Sequence, residues 1–157
     1  MATTKLNLKE LREIRMALQH LGNLPNLPIA YEIAKNLRRV NAVLKEPEEL
    51  LETLREKQTE KDAEGKSVYF VVDNEGNTIV YDPARKNINP RANIFTRITN
   101  ITKLQEFEEQ SKKAEKDEFE VDFHIIKYSK LKPYIEKDGI AANLLVPLLD
   151  KILIEEE

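Results

Sequence analysis

Apolar positions in the 157-residue chain recur first at helical spacing. Leu8, Leu11, Ile14, Leu18 and Leu21 fall three, three, four and three residues apart, which predicts an amphipathic helix with one apolar stripe. Asn7 stands where an N-cap is needed and Glu10 follows three residues later, the spacing of a capping box; Gly22 is the expected stop. "NLPNLP" reads as a turn, because Pro25 and Pro28 exclude a continuous helix. Pro28 suits the first turn of a second helix, whose stripe is Ile29, Ile33, Leu37, Val40 and Leu44. Two amphipathic helices on a short connection predict an antiparallel helical hairpin. Pro47 interrupts the second pattern, yet "PEELLETLREKQTEKD" is again helical, so a kink or a fresh start is expected there. Beyond Leu54 the stripe ends, and the last turns up to Asp62 are expected in solvent.

The period then changes. "SVYFVVD" and "TIVYD" are rich in β-branched and aromatic residues and are separated by "NEGN", which predicts a β-hairpin. "ITKLQEFEEQSKKAEK" returns to helix, with Ile101, Leu104 and Phe107 on one side. In "FEVDFHIIKY" the residues Phe119, Val121, Phe123 and Ile125 alternate, as in a half-buried strand. Ser129 is a candidate cap for a short helix with Leu131 and Tyr134, and Asp138-Gly139 is a turn. Residues 140–154 are apolar on most sides and predict a buried terminal helix, in the core or against a second subunit. No internal repeat or low-complexity tract is read. The expected fold is α+β: a helical hairpin with a long second helix, an inserted β-hairpin, one further strand and a C-terminal helix. The expected organisation is one domain, 1–157, in which 66–100 form the inserted hairpin plus a basic loop.

Charge singles out that loop. Apolar residues make up 41% of the chain and charged residues 34%, with a net charge of −3, which argues against a general nucleic-acid binder. Within 83–105, however, Arg85, Lys86, Arg91, Arg97 and Lys103 meet no acid, contributing +5 and leaving −8 for the rest. Arg85, Lys86, Arg91 and Arg97 are interleaved with Asn87, Asn89, Asn93 and Asn100. Arg forks and Asn amides suit phosphate or carboxylate recognition, and Tyr81 and Phe95 could stack on a base. Arg38 and Arg39, with Lys35, flank the apolar stripe of the second helix and form a second candidate.

Other chemistry is sparse. There is no Cys, so neither a disulfide framework nor a Cys-based zinc site exists. The two histidines, His20 and His124, have no metal-ligand spacing, and four scattered glycines cannot build a phosphate-cradling loop. The many carboxylates lie beside Lys or Arg, as solvated helix faces do, and "DNEGN" lacks the length and terminal Glu of a calcium loop. No catalytic residue, metal ligand or cofactor is assigned, and a classical enzyme is not expected. The start, "MATTKLNLKE", carries no apolar signal core, and the longest apolar run, "IAANLLVPLL", is too short for a membrane span.

The order of segments resembles a family of small tailed-phage proteins of unknown function. The likeness lies in the helix "LKELREIRMALQHL", the Leu-Pro turn "NLPNLP", the Ala30-x-x-x-Ala34-Lys35 helix, and the Glu60-Lys61-Asp62 to Gly65 element. It continues in the acidic helix "KLQEFEEQ", the strand "EFEVDF" and the apolar terminus. Residues 66–100 depart from it, as an enlargement of a shorter connection. The resemblance implies a phage protein working in the host cytoplasm. The expected function is non-enzymatic protein–protein binding, as an accessory or assembly factor or as an inhibitor of a host protein such as a defence component, with self-association through the C-terminal helix. The alternative is an anion-binding module that holds a nucleotide, signalling molecule or short nucleic acid through 83–103.

Overall fold

Asn7 closes a strand and opens a helix, and both roles follow from its side chain. The computed structural model describes residues 2–24, 29–84, 88–89, 91–138 and 140–155. Strand β1 is Ala2–Asn7 and helix α1 is Leu8–Gly22. The Glu10 N–H donates to Asn7 Oδ1 at 2.9 Å and the Asn7 N–H donates to Glu10 Oε2 at 2.9 Å, so the predicted capping box is complete. Gly22 is still helical and Asn23 is the C-cap, so the helix stops one residue later than expected. Helix α2, Ala30–Gln58, runs through Pro47 as one element. Strands β2 (Phe70–Val72) and β3 (Thr78–Val80) form the predicted antiparallel hairpin. Helix α3 is Ile101–Ala114 and strand β4 is Glu118–Phe123; then come β5 (Ile126–Lys127), helix α4 (Tyr128–Asp138), helix α5 (Ala142–Leu145) and β6 (Leu153–Ile154). The fold is α+β. Among the described residues no helix is long and apolar enough to cross a membrane.

The chain forms two compact units: Met1–Glu48 with Lys113–Glu157, and Glu49–Lys112. The segment expected as an insertion, 66–100, lies wholly in the second, which starts within α2 and ends within α3.

In the first unit β1 and β4 pair antiparallel, with Leu6 opposite Phe119, Lys5 opposite Glu120 and Thr3 opposite Asp122. Each cross-strand pair is chemically matched: Lys5 and Glu120 form an exposed ion pair at 3.6 Å, and the Thr3 hydroxyl donates to the Asp122 carboxylate. The sequence reading missed β1 because "ATTKLN" offers no apolar alternation to detect, although Leu6 is buried. The α1 stripe is buried throughout, and Ile33, Val40 and Leu44 of α2 are buried with it, as are Val121 and Phe123 of β4. The two helices are antiparallel neighbours: a Cβ at Gly22 would stand 3.7 Å from Ile33, and at the other end Arg15 grips Glu48 with both guanidinium nitrogens at 2.8 and 2.7 Å. Arg12 Nε adds a third bond to Glu48 at 3.3 Å.

Alternation in β4 holds to Phe123 and then fails, with Ile126 rather than Ile125 taking the buried place. The cause is Asn36, which is fully buried on α2. Its Nδ2 donates to the His124 carbonyl at 2.8 Å and its Oδ1 accepts from the His124 N–H at 2.7 Å. The side-chain amide thus replaces a strand partner where the chain leaves β1 and turns toward β6. The expected terminal helix over 140–154 is not formed. After α5 comes a 3-10 turn, Val146–Leu148, with Pro147 at its start, then Asp150 at φ 61°, and then β6 parallel to β5. Pro147 has no N–H to continue a helix, and a left-handed Asp reverses the chain. Leu145, Leu148, Ile152 and Leu153 are core residues of this unit, while Val146 and Leu149 are exposed. The continuous apolar helix on which self-association was expected is therefore absent.

Replacing Asn36 by Leu leaves the His124 N–H and C=O without partners. Urea unfolding should show a loss of about 2–3 kcal/mol, against less than about 0.5 kcal/mol for Asn41→Ala on the exposed side of the same helix. A second outcome concerns pH. Hydrogen bonding from Arg15, and the charges of Arg15 and Arg12, hold the Glu48 carboxyl below its ordinary 4.5. Stabilisation by a depressed carboxylate is present above the unfolded value and lost as pH falls through the folded one. The stability gap between wild type and Glu48→Gln should therefore be level at neutral pH and shrink below about 4.5; a gap independent of pH would contradict the pairing.

Candidate binding surface

The second unit is framed by two turns of the same construction. The Asp62 Oδ1 accepts from the N–H groups of Glu64 and Lys66, both at 2.9 Å, and the Gly65 N–H donates to the Asp62 carbonyl at 3.0 Å. Eleven residues on, the Asp73 Oδ1 accepts from Glu75 at 2.9 Å and Asn77 at 2.8 Å, and the Gly76 N–H donates to the Asp73 carbonyl at 3.1 Å. Gly65 and Gly76 stand at φ 78° and 87°, a conformation that costs a side-chain-bearing residue dearly. The sequences concerned are "DAEGKSVYF" (62–70) and "DNEGNTIVY" (73–81), two copies of one pattern. This corrects the reading that the chain has no internal repeat: nine residues are too few to stand out until their hydrogen bonds coincide. In both copies the Asp oxygen is saturated by its own turn, which explains a loop that only superficially suits calcium.

The basic stretch is tied to this frame. Phe95 exchanges both main-chain hydrogen bonds with Phe70, at 2.7 and 2.9 Å, on the edge of β2 opposite β3. Their ring centroids are 6.2 Å apart. The Arg97 guanidinium lies 4.0 Å from the centroid of the buried Phe70 ring, and the Arg97 carbonyl accepts from the Glu60 N–H at 3.0 Å. Arg55 holds the intervening residue, donating to the Thr96 carbonyl at 2.7 Å and to its hydroxyl at 3.2 Å. Tyr81 is half-buried and its N–H donates to the Tyr69 carbonyl at 2.8 Å. Two of the asparagines serve the backbone: Asn89 Oδ1 accepts from the Arg91 N–H at 2.9 Å, and Asn100 caps α3 through the N–H groups of Thr102 and Lys103 at 3.0 and 3.1 Å. Arg91 is exposed. Arg85 and Lys86 lie outside the described residues. Among the described residues of the stretch, Arg97 makes a cation–π contact, Asn89 closes a turn and Asn100 caps a helix, and Arg91 and Arg97 are both exposed.

The α2 candidates belong to the first unit. Arg39 donates to the Asp122 carbonyl at 2.5 Å and so braces β4, whereas Arg38 is exposed. Lys35 Nζ stands 4.7 Å above the Tyr31 ring. His20 is exposed at the end of α1, and both main-chain groups of His124 are taken by Asn36. Among the described residues no three His, Asp or Glu side chains gather as a metal would require. The most conspicuous surface is one that charge did not mark. Helix α3 buries none of its residues; Ile101 is 71% exposed and Leu104, one turn on, 38%. Tyr69, Val72, Val80 and Ile94 of the same unit are also exposed. The spacing of Ile101, Leu104 and Phe107 was visible in the sequence, but spacing predicts a buried face and cannot tell that it stays open. Comparison with protein-family models, with curated proteins and with solved structures finds no match for the chain.

Arg97→Ala should lower the stability of the second unit by about 0.5–2 kcal/mol through loss of the contact over a buried ring, whereas Arg91→Ala should leave it unchanged. Hydrogen exchange at the Phe70 and Phe95 amides would report the difference.

Proposed function

We propose that the protein acts by binding another protein, without catalysis of its own, through the open apolar face at the start of α3. The observation that carries this reading is that α3 has the apolar spacing of a packed helix and yet leaves Ile101 and Leu104 exposed, with Phe107 only half-buried. Large apolar residues left in water at helical spacing are a favourable docking surface for a partner's apolar groove or helix. The resemblance to small tailed-phage proteins supports a host or phage protein as the partner, met in the host cytoplasm, with the chain serving as an accessory or assembly factor or as an inhibitor of a host defence protein. The alternative, an anion held by 83–103, draws support from Arg91, which is exposed; Arg97 is exposed too but lies over the Phe70 ring.

Affinity capture from host lysate at moderate salt tests the reading. Wild type should retain a partner that the double variant Ile101→Glu, Leu104→Glu loses at least about tenfold, with the melting temperature unchanged because both side chains are exposed. Equal retention by the two proteins, or none by either, counts against it.

A further inference from the structure

Several charges of the first unit are paired across its elements. Arg12 and Arg15 share Glu48, Lys5 meets Glu120, Lys151 meets Glu10 at 3.6 Å, and Lys130 meets Glu32 at 4.0 Å. Between Glu32 and Glu46, however, α2 carries Lys35, Arg38, Arg39 and Lys45 and no acid at all. Of these, Arg39 is bonded to the Asp122 carbonyl, and Lys35, Arg38 and Lys45 make no ion pair. Lys35 and Arg38 are i,i+3 neighbours and Lys35 and Arg39 are i,i+4 neighbours, so like charges face one another on adjacent turns. That arrangement weakens a helix unless an anion lies between them. Glu32 does not relieve it, being directed to Lys130 on α4.

The same face is shaped. Tyr31, Ala34, Lys35 and Arg38 line a cleft of about 270 Å³. Tyr31 is 68% exposed and presents one ring face beside the Lys35 ammonium. Ala34 is exposed and small, which lets a ligand approach the helix between the two cations. We propose that this cleft binds a phosphate group attached to an aromatic base. Arg38 supplies the planar fork that matches two phosphate oxygens, Lys35 supplies a point charge on the other side, and Tyr31 offers the flat surface on which a base stacks. A carboxylate would satisfy the cations but would not stack on the exposed Tyr31 ring. The ligand chemistry is that of a nucleotide, either free or within a single strand. The site lies wholly in the first unit and is independent of the apolar face of α3.

The full-length chain is titrated at low salt with four probes: ADP, inorganic pyrophosphate, a fluorescent ten-residue oligothymidylate and a poly-glutamate peptide. Binding is read by calorimetry or anisotropy together with the melting temperature. ADP or the oligonucleotide should bind and raise the melting temperature, and Lys35→Ala with Arg38→Ala should weaken that binding by at least about tenfold. Tyr31→Ala should weaken the base-bearing probe while leaving pyrophosphate binding in place. Lys112→Ala with Lys113→Ala, a control at the end of α3, should change nothing. Binding of ADP without the oligonucleotide assigns a free nucleotide, and the reverse assigns a strand. No binding of any probe, binding that survives Lys35→Ala with Arg38→Ala in a protein that melts normally, or poly-glutamate binding as tight as ADP would each overturn the proposal.

Discussion

Two hydrogen bonds from the side-chain amide of Asn36 to the main chain of His124 hold the point where the first unit changes direction. Before His124 the chain is paired with β1; after it, with β6. Between the two pairings His124 would leave an N–H and a C=O unmet against the packed face of α2, and such groups cost more unpaired than they contribute when paired. Only an amide carries a donor and an acceptor spaced to meet both. An Asp offers no donor and a Leu offers neither. Because Asn36 sits among Ile33, Val40 and Leu44 on α2, fixing His124 to it also fixes the apolar seam of the helix against the strand that precedes it. The parallel pairing of β5 with β6, which brings Ile152 and Leu153 into the core, starts two residues beyond that anchor.

The second unit is held differently. It has little helix packing of its own and relies on Asp side chains that close turns, on glycines that allow them, and on Phe70. Two residues meet at that ring, Phe95 beside it and Arg97 over its face. A small apolar centre reinforced by a cation and by saturated turns fits a sequence that alternates acid and base so densely. It also explains why so many apolar side chains of this unit remain outside.

The sequence disclosed elements wherever one period ran long enough. The Leu and Ile stripes of α1 and α2, the capping box and the β2–β3 hairpin were legible, because each depends on neighbours within a few residues. What was not legible depended on distant partners. Strand β1 has no apolar alternation and is defined by β4, over a hundred positions away. The terminal leucines carry a helix-like density, and only the availability of β5 as a partner, with Pro147 and the left-handed Asp150 between, makes the last of them a strand. The candidate site shows the same limit. Lack of acid drew attention to 83–105, but a count of charges cannot see that Arg97 has an aromatic ring beneath it or that two of the asparagines serve the backbone.

The distinction between paired and unpaired groups therefore decides which surfaces carry meaning. A cation that covers a ring or braces a carbonyl has its structural explanation already, as Arg97, Arg55 and Arg39 do. A cation that crowds another cation does not. By that criterion Arg97 loses its claim as part of an anion site, whereas Arg38 of α2, exposed and without an ion pair, keeps one. The parallel criterion for apolar groups selects α3: a helix is normally held by burying its stripe, and here Ile101 and Leu104 are left exposed, Phe107 is half-buried, and Asn100 caps the start. The two surfaces present different chemistry, cations beside an aromatic ring on α2 and exposed apolar side chains on α3.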